Sequence, residues 1–213
     1  MVENKDLVKL LKTSFPDSAF INKVKFIYRP YICPFSRILA QIQPDSKVMD
    51  IGCGNGAFLF MIAKLCNPKS VSGLEVNQEL VDAATALLSS TEIPSSVNIY
   101  DGVKLPSDLD SFKYITMIDV LHHIPSKIQE GMLTQIHKLM SIGSVLLLKD
   151  IDKSNPLVFA NKIHDLILSG KVGAEWRLTR AIDFLTNIGF EIELVEKERM
   201  LWYPHYWIQA KKV

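Results

Sequence analysis

From Lys47 onward the chain alternates short apolar runs with longer stretches of helical periodicity. This alternation restricts the fold to βα units on a largely parallel sheet. Val48–Ile51, Val71–Leu74, Val97–Tyr100, Tyr114–Ile118 and Ser144–Leu148 read as five strands, the last apolar on both faces as a doubly covered strand is. Between them apolar residues recur at helical spacing: Phe58, Leu59, Ile62, Ala63 and Leu65, then Leu80, Val81, Ala84, Leu87 and Leu88. Asn77 is placed to cap the second of these helices, and Ser126 to cap a third that runs to Met140.

Past residue 150 the pattern changes. Helical stretches at about 155–169 and 178–188 end at the stop signal Asn187-Ile188-Gly189, and Phe190–Val195 and Tyr206–Ala210 follow as an antiparallel hairpin. Residues 1–44 form a lead-in: an amphipathic helix, then Phe26 to Phe35, where Pro30 and Pro34 enforce extended backbone. No repeat or charge block marks a boundary, and 213 residues with a 48% hydrophobic fraction fit one core.

Charge narrows the partners. With 24 basic against 23 acidic side chains the formal charge is +1, so no global cationic field is available for a phosphate backbone, and nucleic acid is disfavoured as a partner. Cys33, Cys53 and Cys66 form no CxxC pair, which points away from a disulfide framework or a zinc site and toward a reducing, cytoplasmic setting. The N-terminal residues lack the features of a secretory signal, and no apolar run approaches the ~18 residues needed to cross a bilayer. A slightly positive mean hydropathy leaves peripheral membrane contact open.

The sharpest local feature is Asp50-Ile51-Gly52-Cys53-Gly54-Asn55-Gly56, directly after one strand and directly before a helix. Glycines there admit backbone dihedrals closed to other residues and let a ligand approach the main chain, while the helix start offers N–H groups to it. Glu75 closes the next strand, placed to accept hydrogen bonds from a ribose diol. Together they describe an adenosine-type site. Gly52, Gly54 and Ala57 also satisfy the dinucleotide fingerprint, so the glycines alone admit a nicotinamide enzyme. Two details favour another ligand: Asp50 would repel a pyrophosphate but suits an ammonium or sulfonium, and Gly56 adds a third glycine at tighter spacing.

The segment Val48 to Gly56 resembles the first motif of the class I S-adenosylmethionine-dependent methyltransferases. Gly73-Leu74-Glu75-Val76, Tyr100-Asp101-Gly102 and Ile118-Asp119-Val120-Leu121-His122-His123-Ile124-Pro125 resemble that family's next three strand ends, in order and spacing. The resemblance implies a Rossmann-like three-layer α/β sandwich, with a seven-stranded, mostly parallel sheet and a C-terminal antiparallel hairpin. It implies one methyltransferase domain over 1–213: a lead-in or lid at 1–44, the cofactor core at 45–150, a helical substrate-side insert at 151–188 and the hairpin at 189–213. It also implies S-adenosyl-L-methionine as cofactor. Gly52, Gly54 and Gly56 would line its methionine part, with Asp50 near the amino end and Cys53 among them as a small buried residue. Glu75 would hold the ribose hydroxyls, Asp101 the adenine amino group, Gly102 would sit beside the ring, and Leu74 and Val76 would flank the cofactor. The main chain of Asp119 and Val120 would face the cofactor.

A sulfonium methyl is already activated, so the protein has mainly to align an acceptor and exclude water. A base is needed only where the acceptor keeps its proton, and His122 and His123, after strand four, are the candidates, although packing or orienting the loop is the favoured reading for both. Asp119, Asp150 and Asp152 at strand ends suggest a magnesium site less well than helix caps, and no metal is assigned. Lys149 is equally ambiguous. Tyr28, Arg29, Tyr31, His164 and Trp176-Arg177 lie where sequence order brings them near the strand tips. Trp202, Tyr203, His205, Tyr206 and Trp207 cluster on the last hairpin, where core or interface packing is favoured over base stacking. The acceptor reads as a small molecule or a lipid-like one, in keeping with the apolar stretch Pro156 to Leu168, whose Leu157, Phe159, Ile163, Leu166 and Ile167 equally suit a core. The rivals are an NAD(P)-dependent oxidoreductase and a non-catalytic S-adenosylmethionine-binding regulatory module. The sequence carries no reading of oligomeric state.

Overall fold

The computed structural model describes residues 2–14, 26–154 and 173–213. The helical pattern at 155–169, His164 and the whole apolar stretch 156–168 lie outside the described residues. The chain divides into two compact units, Met1–Lys104 and Leu105–Val213.

The first unit opens with α1 (Asn4–Ser14), a 3-10 turn (Arg29–Tyr31) and α2 (Phe35–Leu39). Pro30 and Pro34 do not hold this stretch extended. Pro30 lies within the 3-10 turn and Pro34 is the N-cap of α2, positions where a missing N–H is harmless because that donor has no helical partner. Then follow β1 (Lys47–Ile51), α3 (Ala57–Leu65), β2 (Ser70–Glu75), α4 (Gln78–Leu88) and β3 (Ser95–Ile99). β2 pairs in parallel with β1 on one side and β3 on the other, with Ile51 beside Leu74 and Glu75 beside Ile99. Every residue of α3 from Ala57 to Ala63 is buried, as in a helix covered on all sides. α4 instead buries one stripe, Val81, Ala84, Leu87 and Leu88. Its start is fixed by Asn77, whose side-chain oxygen accepts the N–H groups of Glu79 and Leu80.

In the second unit a 3-10 turn (Ser107–Ser111) leads to β4 (Tyr114–Ile118), a second such turn (Leu121–His123), α5 (Ser126–Leu139) and β5 (Val145–Ile151). All seven residues of β5 are buried, which matches its apolar sequence. Ser126 is the first residue of α5 rather than its cap; Pro125 precedes it and no side chain caps the helix. α6 (Leu178–Asn187), β6 (Phe190–Met200) and β7 (Tyr203–Lys212) complete the unit. β4 and β5 are parallel, β7 runs antiparallel to β5, and β6 runs antiparallel to β7 with an irregularity between Ile192 and Leu194. The hairpin strands are far longer than their apolar cores, because charged residues alternate along β6 and remain in the ladder.

The strands form one seven-stranded sheet in the order β3-β2-β1-β4-β5-β7-β6, mostly parallel, with the antiparallel strand near one end. Among the described residues no helix is long and apolar enough to cross a membrane.

Candidate functional site

In the first unit the β1–α3 connection is a loop of left-handed backbone. Gly52, Gly54 and Gly56 have φ of 75°, 56° and 78°. Two of these glycines have different jobs. A Cβ on Gly56 would lie 2.8 Å from the Cβ of Ala84, so Gly56 lets α4 approach the loop. A Cβ on Gly54 would meet nothing within 4 Å, so the loop is open there. The N–H groups of Gly52 and Cys53 both donate to the Leu74 carbonyl, at 2.8 and 3.0 Å, which ties the loop to β2.

Glu75, at the end of β2, is buried and serves as a hub of main-chain donors. Its Oε2 accepts the Gly54 N–H at 2.9 Å, and its Oε1 accepts the N–H groups of Val76 and Asn77 at 2.8 and 3.2 Å. Asp50 is buried as well. Cys53 packs against Gly73, where a Cβ would come within 2.6 Å of its Sγ. Burial raises the Cys53 thiol pKa well above its usual value, and the charges of Asp50 and Glu75 add to this, so the thiol stays protonated and inert.

After β3, Asp101 is exposed and its Oδ1 accepts the N–H groups of Val103 and Lys104, each at 2.8 Å. Those bonds, Lys104 first, hold its carboxyl below the usual range. Gly102 has φ of 78°, and a Cβ there would touch Val76 Cγ1 at 3.4 Å. Val76 is 57% exposed, an apolar ledge at the tip of β2. The first unit therefore brings Asp50, Gly54, Glu75, Val76, Asp101 and Gly102 to the carboxyl ends of β1, β2 and β3.

In the second unit Asp119 follows β4 with φ of 58°, a left-handed position for a residue other than glycine. Its carboxylate accepts from the Nζ of Lys149, which is fully buried, and its N–H donates to the Lys149 carbonyl at 3.0 Å. Val120 is half-buried beside it. The two histidines separate. His122 is buried and held by Asp150: its N–H donates to Oδ2 at 3.0 Å and its Nδ1 lies 2.5 Å from Oδ1. Its Nδ1 therefore carries a proton. His123 is exposed, its ring centroid 4.0 Å from that of His122. Asp152 accepts the N–H groups of Ser154 and Leu178 and the ammonium of Lys197, so it supports the start of α6. Asp119, Asp150 and Asp152 are thus each engaged by protein donors, and among the described residues no cluster of three metal-ligating side chains occurs.

Sequence reasoning missed the partner of His122, because residues 28 apart meet only through the pairing of β4 with β5. It also missed Gln129. This fully buried amide donates to the carbonyls of Leu121 and Ala174 and accepts from the buried indole of Trp176, joining the histidine turn to the segment before α6. The available signal was a glutamine on the stripe Met132, Leu133, Ile136 of α5.

A parallel βα sheet with a glycine loop after β1 and an acid at the end of β2 defines a nucleoside-binding class of α/β protein. Residues 48–143 match the sequence model of a family described as a methyltransferase domain, and the chain carries a methyltransferase domain of the class I S-adenosylmethionine-dependent type. It is 24% identical over 113 residues to a carboxy-S-adenosyl-L-methionine synthase of Alteromonas mediterranea, which covers 52% of this chain and 46% of the relative. It is 25% identical over 158 residues to a sterol 24-C-methyltransferase of Gibberella zeae, covering 71% and 41%. The chain thus spans about half the length of the curated relatives it matches. Its fold is similar to that of magnesium protoporphyrin IX methyltransferase from Synechocystis, solved with bound SAH, with a TM-score of 0.71, 16% identity, and coverage of 98% and 94%.

Proposed function

We propose that this protein transfers the methyl group of S-adenosylmethionine to a small-molecule or lipid-like acceptor. The observation that carries the reading is the bond between Glu75 and Gly54: a buried carboxylate fixed at the mouth of a glycine loop whose Gly54 side is open. Oε2 of Glu75 has one protein donor and a second lone pair for a ribose hydroxyl. Asp101 uses Oδ1 for its own turn and keeps Oδ2 for an adenine amino group. Val76 and Gly102 give the ring an apolar ledge, and the Asp50 carboxylate suits an ammonium group. These features fit an adenosyl amino acid. The roles of Gly52, Gly56, Cys53, Asp119 and Val120 as further cofactor contacts rest on the family resemblance.

The bound cofactor supplies an activated methyl group. The chain's own residues then bind, orient and keep water away. His123, exposed beside the buried His122, is the better placed of the two to take a proton from a protic acceptor; His122 holds the turn. The lipid-like side of the acceptor is supported by similarity to the sterol methyltransferase over 71% of the chain.

Thermal melting tests the cofactor half: S-adenosylhomocysteine at a hundred times its dissociation constant should add about 2.7 kcal/mol, and NAD nothing. Stabilisation by NAD alone contradicts the proposal. Release of S-adenosylhomocysteine from the methyl donor with sterol or small-molecule acceptors tests turnover. Binding without release on any acceptor favours a regulatory module.

A further inference from the structure

The β6–β7 hairpin turns through only two residues, Leu201 and Trp202, since Met200 pairs with Tyr203. Leu201, the first of them, has φ of 56°. Glycine, asparagine or aspartate ordinarily fills such a position, because a side chain there is strained. Leucine and tryptophan are also the wrong residues for exposure: Leu201 is 61% and Trp202 45% exposed. The turn therefore holds two large apolar side chains in solvent on strained backbone, a choice that folding does not explain. Trp202 is backed by an aromatic ladder, its ring 5.5 Å from Tyr203, which stacks at 5.8 Å on His205.

The surroundings of the tip are cationic. β6 runs parallel to β5, so the tip lies at the edge where β5 ends. The register puts Arg199 beside Pro204, and the Pro204 carbonyl accepts from Asp152, next to Lys153. The Lys153 N–H in turn donates to the carbonyl of Trp176, next to Arg177. Lys153, Arg177, Lys197 and Arg199 are all exposed on this edge, Lys197 even while it bonds Asp152. The acids of the same edge, Asp150, Asp152 and Glu175, are buried, and Glu198 is half-buried. An apolar tip inside a rim of cations is complementary to one kind of surface, an anionic lipid bilayer: the indole and leucine enter the interfacial layer and the cations meet headgroups.

We propose that the Leu201–Trp202 turn is a docking element that inserts into anionic membrane surfaces. The proposal stands apart from methyl transfer, since docking needs neither methyl donor nor acceptor.

The protein carries its own probe. It has three tryptophans, and Trp176 and Trp207 are each 2% exposed, so an environment-dependent change in emission reports on Trp202. The test adds phosphatidylcholine vesicles with or without phosphatidylglycerol to the full chain, and reads emission and co-sedimentation. Expected are a blue shift and sedimentation with phosphatidylglycerol, both lost at high salt and both absent with phosphatidylcholine alone. W202F should abolish the blue shift. The double variant L201G/W202N suits the turn, so it should melt no lower than the parent while partitioning on the order of tenfold more weakly. No partition of the parent onto anionic vesicles overturns the proposal, as does equal partition of the double variant or equal binding to neutral vesicles. Concentration-dependent dimerisation abolished by L201G/W202N, without vesicle binding, would assign the tip to a second copy of the chain and also overturn it.

Discussion

The Glu75 carboxylate accepts the Gly54 N–H at 2.9 Å, so one hydrogen bond joins the end of β2 to the glycine loop across 21 positions of sequence. All three N–H groups around Glu75 require an acceptor. Glu75→Gln places an amide NH2 against one of them, which should cost about 1–3 kcal/mol of stability and weaken adenosylhomocysteine binding by about tenfold or more. Denaturant unfolding and calorimetry on the same preparation check both effects.

The loop glycines should separate by readout. Gly56→Ala drives a Cβ into Ala84 and should cost about 1–3 kcal/mol from overpacking alone. Gly54→Ala meets no atom and carries only the left-handed penalty of about 1–2 kcal/mol, yet it fills the open side of the loop. Its loss of cofactor affinity should exceed its loss of stability, whereas Gly56→Ala should show the reverse order in melting and binding curves.

His122 and His123 should part in the same way. Truncating His122 removes the ring partner of the buried Asp150, which keeps the backbone N–H groups of His122 and Ile151, and should cost about 1–3 kcal/mol. His123→Ala should stay within about 0.5 kcal/mol of the parent, as exposed substitutions do. A lower turnover for His123→Ala with unchanged melting would identify it as the group that takes the acceptor's proton.

Tyr206 is fully buried on β7, its hydroxyl without a hydrogen-bond partner among the described residues. Burial, with the nearby charges of Asp150 and Asp152, raises its pKa well above the usual phenol value. Tyr206→Phe removes an unsatisfied polar atom and should leave the fold equally stable or up to about 1 kcal/mol more so. A lower melting temperature would contradict this.

Asp152 sets part of the acid limb of stability. Burial alone would raise its pKa, but the bonds from Lys197, Ser154 and Leu178 outweigh that and hold it below 3.8. A carboxylate depressed in the fold contributes stability that is complete above the unfolded value and lost as pH falls through the folded one. Asp152→Asn should therefore be less stable than the parent near neutrality, and the gap should close as pH falls below 3.8. Urea midpoints across pH test the convergence.

Much of the fold was legible because the strands report their own burial. Tyr114–Ile118 matches its sequence reading residue for residue, and β5, read as Ser144–Leu148 because both faces are covered, starts one residue later and runs on through the polar Lys149 and Asp150 to Ile151. The hairpin was read too short, since Lys197 and Arg199 stay in the ladder while facing solvent, where polarity carries no strand signal. Pro30 departs from its sequence reading because a proline in the first turn of a 3-10 helix and one in extended chain look alike in sequence. Of the candidate site, the glycine loop and Glu75 stood out as local patterns. The links from His122 to Asp150 and from Gln129 to Trp176 did not, because they depend on which strand ends and segments meet.

The most direct measurement is isothermal calorimetry of the full chain with S-adenosylhomocysteine, run beside the charge-reversal variant Glu75→Lys. The account predicts saturable heat for the parent and none for a variant that remains folded by circular dichroism. Absence of heat from folded parent protein with either the methyl donor or its product would contradict it, as would undiminished affinity in Glu75→Lys.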